Sequence, residues 1–121
     1  MAITKKLITK TDERGSLSVI ENILPFDIKR VFFLYDIKDG EKRGGHGHIK
    51  TKMAIVALSG SVDILVANDK EENTYHLNTA NEVLILNPED WHQLLNFSSS
   101  CSVVVMASEN YDPEDYFYDK P

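Results

Sequence analysis

An antiparallel all-β sandwich or barrel of the jelly-roll kind is the fold class this sequence predicts, and three observations predict it. Short runs rich in β-branched and large apolar residues recur along the chain. Turn-forming residues separate those runs at short intervals. No long stretch carries the periodicity of an amphipathic helix. The 121 residues suffice for one domain, 1–121, with a real core and no room for a second.

Taken in order, the first expected strands are Leu17–Ile20 and Lys29–Tyr35, ahead of the turn Asp39-Gly40. Lys52–Leu58 holds the apolar run Ala54-Ile55-Val56-Ala57-Leu58 and stops at Ser59-Gly60. Val62–Val66 closes at Asn68-Asp69, and Thr74–Leu77 closes at Asn78-Thr79. Val83–Leu86 runs into Asn87-Pro88-Glu89-Asp90, which delivers Trp91 and His92 to the strand His92–Asn96. Ser102–Ala107, built on Val103-Val104-Val105, completes the set. The exception is the end of the chain. Asp112-Pro113-Glu114-Asp115-Tyr116 offers an N-cap, a first-turn proline and acids at the positive end of a helix dipole, which predicts a short C-terminal helix.

Composition excludes several function classes. The longest apolar runs fall far short of the roughly 20 residues a membrane span needs. Met1-Ala2-Ile3-Thr4-Lys5-Lys6 lacks the apolar core of a secretory signal. One cysteine, Cys101, allows no internal disulfide, so a reducing cytoplasm is the expected compartment. The formal charge of −6 argues against a nucleic-acid polymer as partner. Most of that excess sits in residues 109–121, where Glu109, Asp112, Glu114, Asp115 and Asp119 face only Lys120. The rest is nearly neutral, which leaves Arg14, Arg30, Arg43 and Lys50 free to form a local cationic pocket for an anionic small molecule.

The stretch Arg43-Gly44-Gly45-His46-Gly47-His48 carries the strongest signal for chemistry. Side chains at i and i+2 of a strand share a face, so the two imidazoles point the same way. The Gly-Gly pair lets the backbone turn tightly and sets the charge of Arg43 beside them. His92 is placed to face the same interior, whereas His76, beside a polar hairpin, belongs on the surface.

Two chemistries fit His46, His48 and His92. As metal ligands they resemble the three-histidine set of the cupin superfamily. The carboxylate that set normally includes falls here on Lys52 or Met53, and a lysine beside a cationic metal is unfavourable. Without metal, imidazoles that titrate near neutrality suit the transfer of hydrogen between adjacent carbons, with Arg43 neutralising an enolate oxygen. Cys101 and the serines sit in no recognisable nucleophile motif.

A more specific likeness runs from residue 14 to 116. Arg14-Gly15-Ser16-Leu17, Pro25-Phe26-x-Ile28-Lys29-Arg30-Val31, Arg43-Gly44-x-His46-x-His48 and Leu58-x-Gly60-Ser61 occur in that order. Trp91-His92, Phe97-Ser98-Ser99 and Ala107-Ser108-x-x-Tyr111-Asp112-x-x-Asp115-Tyr116 follow. Together they resemble the sugar 3,4-ketoisomerases of the WxcM-like cupins. The resemblance implies a jelly roll that needs no cofactor or metal and forms homodimers with exchanged N-terminal strands. The implied substrate is dTDP-4-keto-6-deoxy-glucose, whose carbonyl moves from C4 to C3 through an enediolate on the way to bacterial surface deoxy-sugars. It implies His46, His48 and Arg43 as catalytic residues. Arg14 and Arg30 then suit the pyrophosphate, Tyr35 a hydrogen bond to the sugar, and Trp91 and His92 the pocket wall. Phe32-Phe33 stands where members carry tyrosines, and Lys52-Met53 where they carry Glu-Gln, which removes polar groups near the sugar. A non-catalytic sugar-nucleotide binder and a metal-dependent cupin enzyme are the alternative functions.

Overall fold

The computed structural model describes residues 2–121. Its elements are β1 (Ile3–Lys6), β2 (Ile8–Asp12), β3 (Gly15–Val19), β4 (Arg30–Leu34), β5 (Arg43–His48) and β6 (Met53–Ser59). β7 (Val62–Ala67), β8 (Glu72–Leu77), β9 (Glu82–Leu86), β10 (Trp91–Leu95), β11 (Ser102–Ala107) and β12 (Tyr116–Phe117) follow. Two five-stranded antiparallel sheets, ordered β1-β9-β6-β11-β4 and β12-β5-β10-β7-β8, pack on each other, and β2-β3 form a separate ribbon. This is the predicted jelly-roll class.

Alternation along the strands builds the core between the sheets. Met53, Ile55 and Ala57 of β6 and Val103, Val105 and Ala107 of β11 meet Val62, Ile64 and Val66 of β7 and Leu94 of β10. The opposite face of the first sheet is covered as well: Ala54, Val56, Val83, Ile85 and Met106 pack beneath Leu7 and the segment carrying Ile20, Ile23, Leu24 and Phe26. Burial on both faces explains why β6 reads as an unbroken apolar run instead of an alternation.

Eight strands lie where the sequence places them, with ends shifted by one or two residues. β1 and β2 were outside that expectation, because Ile-Thr-Lys-Lys and Ile-Thr-Lys-Thr offer one apolar residue each and stay almost wholly exposed. The C-terminal helix is corrected to a single 3-10 turn, Pro113–Asp115. Asp112 caps it as expected, accepting from the Glu114 amide at 3.0 Å. It stops there because Tyr116 and Phe117 pair with His48 and Gly47 of β5, and extended pairing claims the backbone a second helical turn would need.

Ile64 is fully buried between the sheets. Ile64→Ala should destabilise the fold by about 2–5 kcal/mol, read as a lower urea midpoint with an unchanged slope.

Candidate active site

Three adjacent strands, β12-β5-β10, carry the site on their inner face. His46 is the register partner of His92, and His48 is the partner of Tyr116, so all four rings project to one side. Ring centroids lie 5.2 Å apart for His46 and His48, 4.8 Å for His46 and His92, and 4.5 Å for His48 and Tyr116.

Arg43 joins that face through a bulge. Strict alternation would send residue 43 to the opposite side from residues 46 and 48. The pairing instead skips a residue between His92↔His46 and Gln93↔Gly44, which restores Arg43 to the inner side. Gly44 and Gly45 allow it, with φ of 84° and 78°. On the outer face, a Cβ at Gly47 would run into the Phe117 ring, so that glycine lets β12 close against β5.

Across from the imidazoles, Phe32 and Leu34 of β4, Met53 and Ile55 of β6 and Val105 of β11 close a cavity of about 80 Å³, with Arg43, Gly44, His46, His92 and Leu94 on the other side. Arg30 shares the inner face of β4 with Phe32 and lies over the Phe32 and Tyr111 rings at 5.4 and 5.7 Å. A larger open groove of about 510 Å³ lies elsewhere, between Ile49, Asn68, Asp69, Glu89, Phe117 and Pro121, and holds no imidazole.

Burial keeps these imidazoles neutral. His92 is driven down to about 3 by burial and by its neighbours His46 and His48. His46 is lowered by burial, by His48 and by the Arg30 charge, against a backbone hydrogen bond at Gly44. His48 is lowered by burial although Asp115 opposes the shift. Burial works to raise Asp115, but hydrogen bonds from Thr51, the Lys50 amide and His48 outweigh it and hold the carboxyl below its usual range.

Of the residues the sequence singled out, the structure gathers Arg43, His46, His48 and His92 and sets Arg30 close by. Arg14 stands at the tip of the β2-β3 ribbon, its Nη2 2.7 Å from the Asp12 carboxylate. Tyr35, directly after β4, is exposed. Trp91 alternates to the far side of β10 from His92 and donates its Nε1 hydrogen to the Tyr118 carbonyl at 3.1 Å. None of those three lines the histidine cavity within this chain. His76 sits on exposed β8, 2.6 Å from Asp63. Among the described residues, no trio of histidine, cysteine or acidic side chains is arranged to hold a metal ion.

The residues that sequence reasoning missed are Asp115, Thr51 and Tyr116. Asp115 Oδ2 lies 3.1 Å from His48 Nδ1 and 2.5 Å from Thr51 Oγ1. The signal available was the acid-rich Pro-Glu-Asp segment, which reads as a helix start and conceals that one of its acids is buried.

A jelly roll whose inner face carries neutral imidazoles over an apolar floor belongs to the cupin class, fitted for proton transfer. Within that class the chain belongs to the FdtA family (WxcM-like, C-terminal), whose model matches residues 2–121. It is 39% identical over 114 residues to the TDP-4-oxo-6-deoxy-alpha-D-glucose-3,4-oxoisomerase of Aneurinibacillus thermoaerophilus, covering 93% of this chain and 80% of that protein. Among solved structures it is similar to QdtA, a sugar 3,4-ketoisomerase from Thermoanaerobacterium thermosaccharolyticum in complex with TDP. The TM-score is 0.93 at 34% identity, over 98% of this chain and 88% of that one. A variant of QdtA in complex with TDP-4-keto-6-deoxyglucose gives a TM-score of 0.93 at 33% identity, over 98% and 87%.

The buried imidazoles set a pH dependence of stability. His92 in the unfolded chain takes up a proton near pH 6.5, whereas folded His92 stays neutral to about pH 3. The unfolded state therefore binds the extra proton, and stability is complete above pH 6.5 and falls as pH drops below it. One such group contributes a slope of up to about 1.4 kcal/mol per pH unit. The thermal midpoint should fall by roughly 5–10 °C between pH 7.5 and 5, with His92→Gln flattening the curve.

Proposed function

We propose that this chain, a single cupin domain, moves the carbonyl of a dTDP-linked 4-keto-6-deoxy sugar from C4 to C3 by histidine acid–base catalysis. The observation that carries the reading is the cluster of neutral imidazoles, His48 and His92 buried and His46 half-buried, beside Arg43 and Arg30 in a chain of this family.

The chemistry follows from the substrate. The C4 ketone acidifies the hydrogen on C3. One imidazole takes that proton, the C3–H electron pair becomes a C3=C4 double bond, and the charge moves to O4. The cationic side chains Arg43, at the cavity, and Arg30, over the Phe32 ring, stabilise that enediolate. O4 is then protonated, O3 gives up its hydrogen, C3=O forms and C4 takes a proton. Every proton lost is regained and no external oxidant or reductant enters. Apolar Phe32, Met53 and Val105 hold bulk water away from the intermediate.

The open surfaces support a second copy of this chain as partner. β4 ends its sheet with Val31 and Phe33 exposed on its outer face, and the β2-β3 ribbon leaves Ile8 and Leu17 exposed. An open sheet edge and an unattached ribbon are complementary hydrogen-bonding surfaces, in keeping with exchange of N-terminal strands between protomers. Among the described residues, no helix is long and apolar enough to cross a membrane. The lone cysteine, buried as a thiol, agrees with a cytoplasmic enzyme.

Incubation with dTDP-4-keto-6-deoxyglucose in deuterated water, followed by NMR, should give a 3-keto product with deuterium at C4. His48→Asn should slow it by roughly 10²–10⁴-fold. Unchanged sugar with clear binding of TDP would make the chain a non-catalytic binder, and loss of turnover with chelator would make it a metal enzyme. Light scattering should give twice the 13.7 kDa chain mass, and Phe33→Asp should return it to the single-chain value.

A further inference from the structure

Asp115 is buried to 5% exposure, and both its carboxylate oxygens are engaged. Oδ1 accepts from the Lys50 amide at 2.8 Å, while Oδ2 accepts from Thr51 Oγ1 and faces His48 Nδ1 at 3.1 Å. The backbone is tied in as well, since the Ile49 amide donates to the Asp115 carbonyl at 2.8 Å. Such lacing immobilises the carboxylate against the end of β5.

Resting on the ketoisomerase reading, we propose that Asp115 is a positioning residue that holds His48 as its Nδ1–H tautomer, making Nε2 of that ring the acceptor of the carbon-bound proton. An ionised carboxylate only accepts hydrogen bonds, so the facing ring nitrogen must carry the hydrogen. The other nitrogen is then a lone pair, and His48 Nε2 is buried with no hydrogen-bond partner. An orphaned acceptor in a site of this kind awaits a proton from substrate. Once His48 is charged, Asp115 stabilises the imidazolium.

The other two rings lack that support. His92 is pushed to about 3 and makes a poor base, and His46 carries a backbone hydrogen bond at Gly44 instead of a carboxylate partner. The charged and titratable groups around His48 are His46 on its own strand, His92 on β10, Tyr116 on β12, Arg30 on β4 and Asp115. Asp115 is the anion in that set, so the balance of charge on His48 turns on it.

Two measurements test this. Long-range ¹H–¹⁵N NMR of the substrate-free protein should show His48 protonated at Nδ1 and bare at Nε2. The opposite tautomer overturns the proposal. With TDP-4-keto-6-deoxyglucose, Asp115→Asn should lower kcat by roughly 10²–10⁴-fold and leave KM within about threefold. The acid limb of kcat/KM should move to lower pH, because the carboxylate no longer raises His48. Thr51→Val, which keeps the carboxylate but loosens it, should give a smaller loss in the same direction. A wild-type kcat and acid limb in Asp115→Asn overturns the proposal. Should Asp115→Asn fail to fold, the wild-type tautomer and Thr51→Val decide. Absence of isomerase activity in the wild-type protein would overturn the reaction assigned to the site, while the tautomer of His48 would still be read independently.

Discussion

The register of β5 between β10 and β12 is the constraint on which the rest of the site depends. It places His46 opposite His92 and His48 opposite Tyr116, and both pairings need the same six-residue strand held on two sides. A one-residue slip would turn both imidazoles outward. The two devices that fix it are glycines: the Gly44-Gly45 bulge on the β10 side, and Gly47 beneath Phe117 on the β12 side. The repeated glycines of this stretch thus serve the histidines, by deciding which residues share their face.

That register brings polar rings into a poorly hydrated space, and the electrostatics follow. Burial depresses all three imidazoles, and mutual proximity depresses His46 and His92 further. A cluster of this kind folds in its neutral form. Two opposite charges temper it from different directions. Arg30 pushes against protonation of His46 and His48, whereas Asp115 supports it at His48. Rings of the same chemistry thereby become unequal, the condition for giving acid and base separate tasks.

Much of the fold was legible because its evidence is local. Apolar runs and turn residues gave eight strands, and spacing put His46 and His48 on one face. That His92 faces the same interior was anticipated through the turn at Asn87-Pro88-Glu89-Asp90; its pairing with His46 was not. What escaped depends on contacts far apart in the chain. Asp115 meets a histidine 67 residues away, and nothing in Pro-Glu-Asp distinguishes a buried acid from a capping one. Trp91 is the exception, since alternation along the strand, a local rule, already places it on the opposite face from its neighbour His92. Arg14 belongs to a motif of the family and Tyr35 was assigned to the sugar on the same resemblance, yet within one chain they stand outside the cavity.

Trp91 is the single tryptophan of the chain, and its indole hydrogen is bound to the backbone of Tyr118. Tyr118 follows directly on β12, the strand that seats Tyr116 beside His48. The molecule consequently carries an intrinsic fluorophore wired to its own C-terminal clasp. Emission from that one indole reports whether the clasp is fastened beside the histidine face, with no label attached.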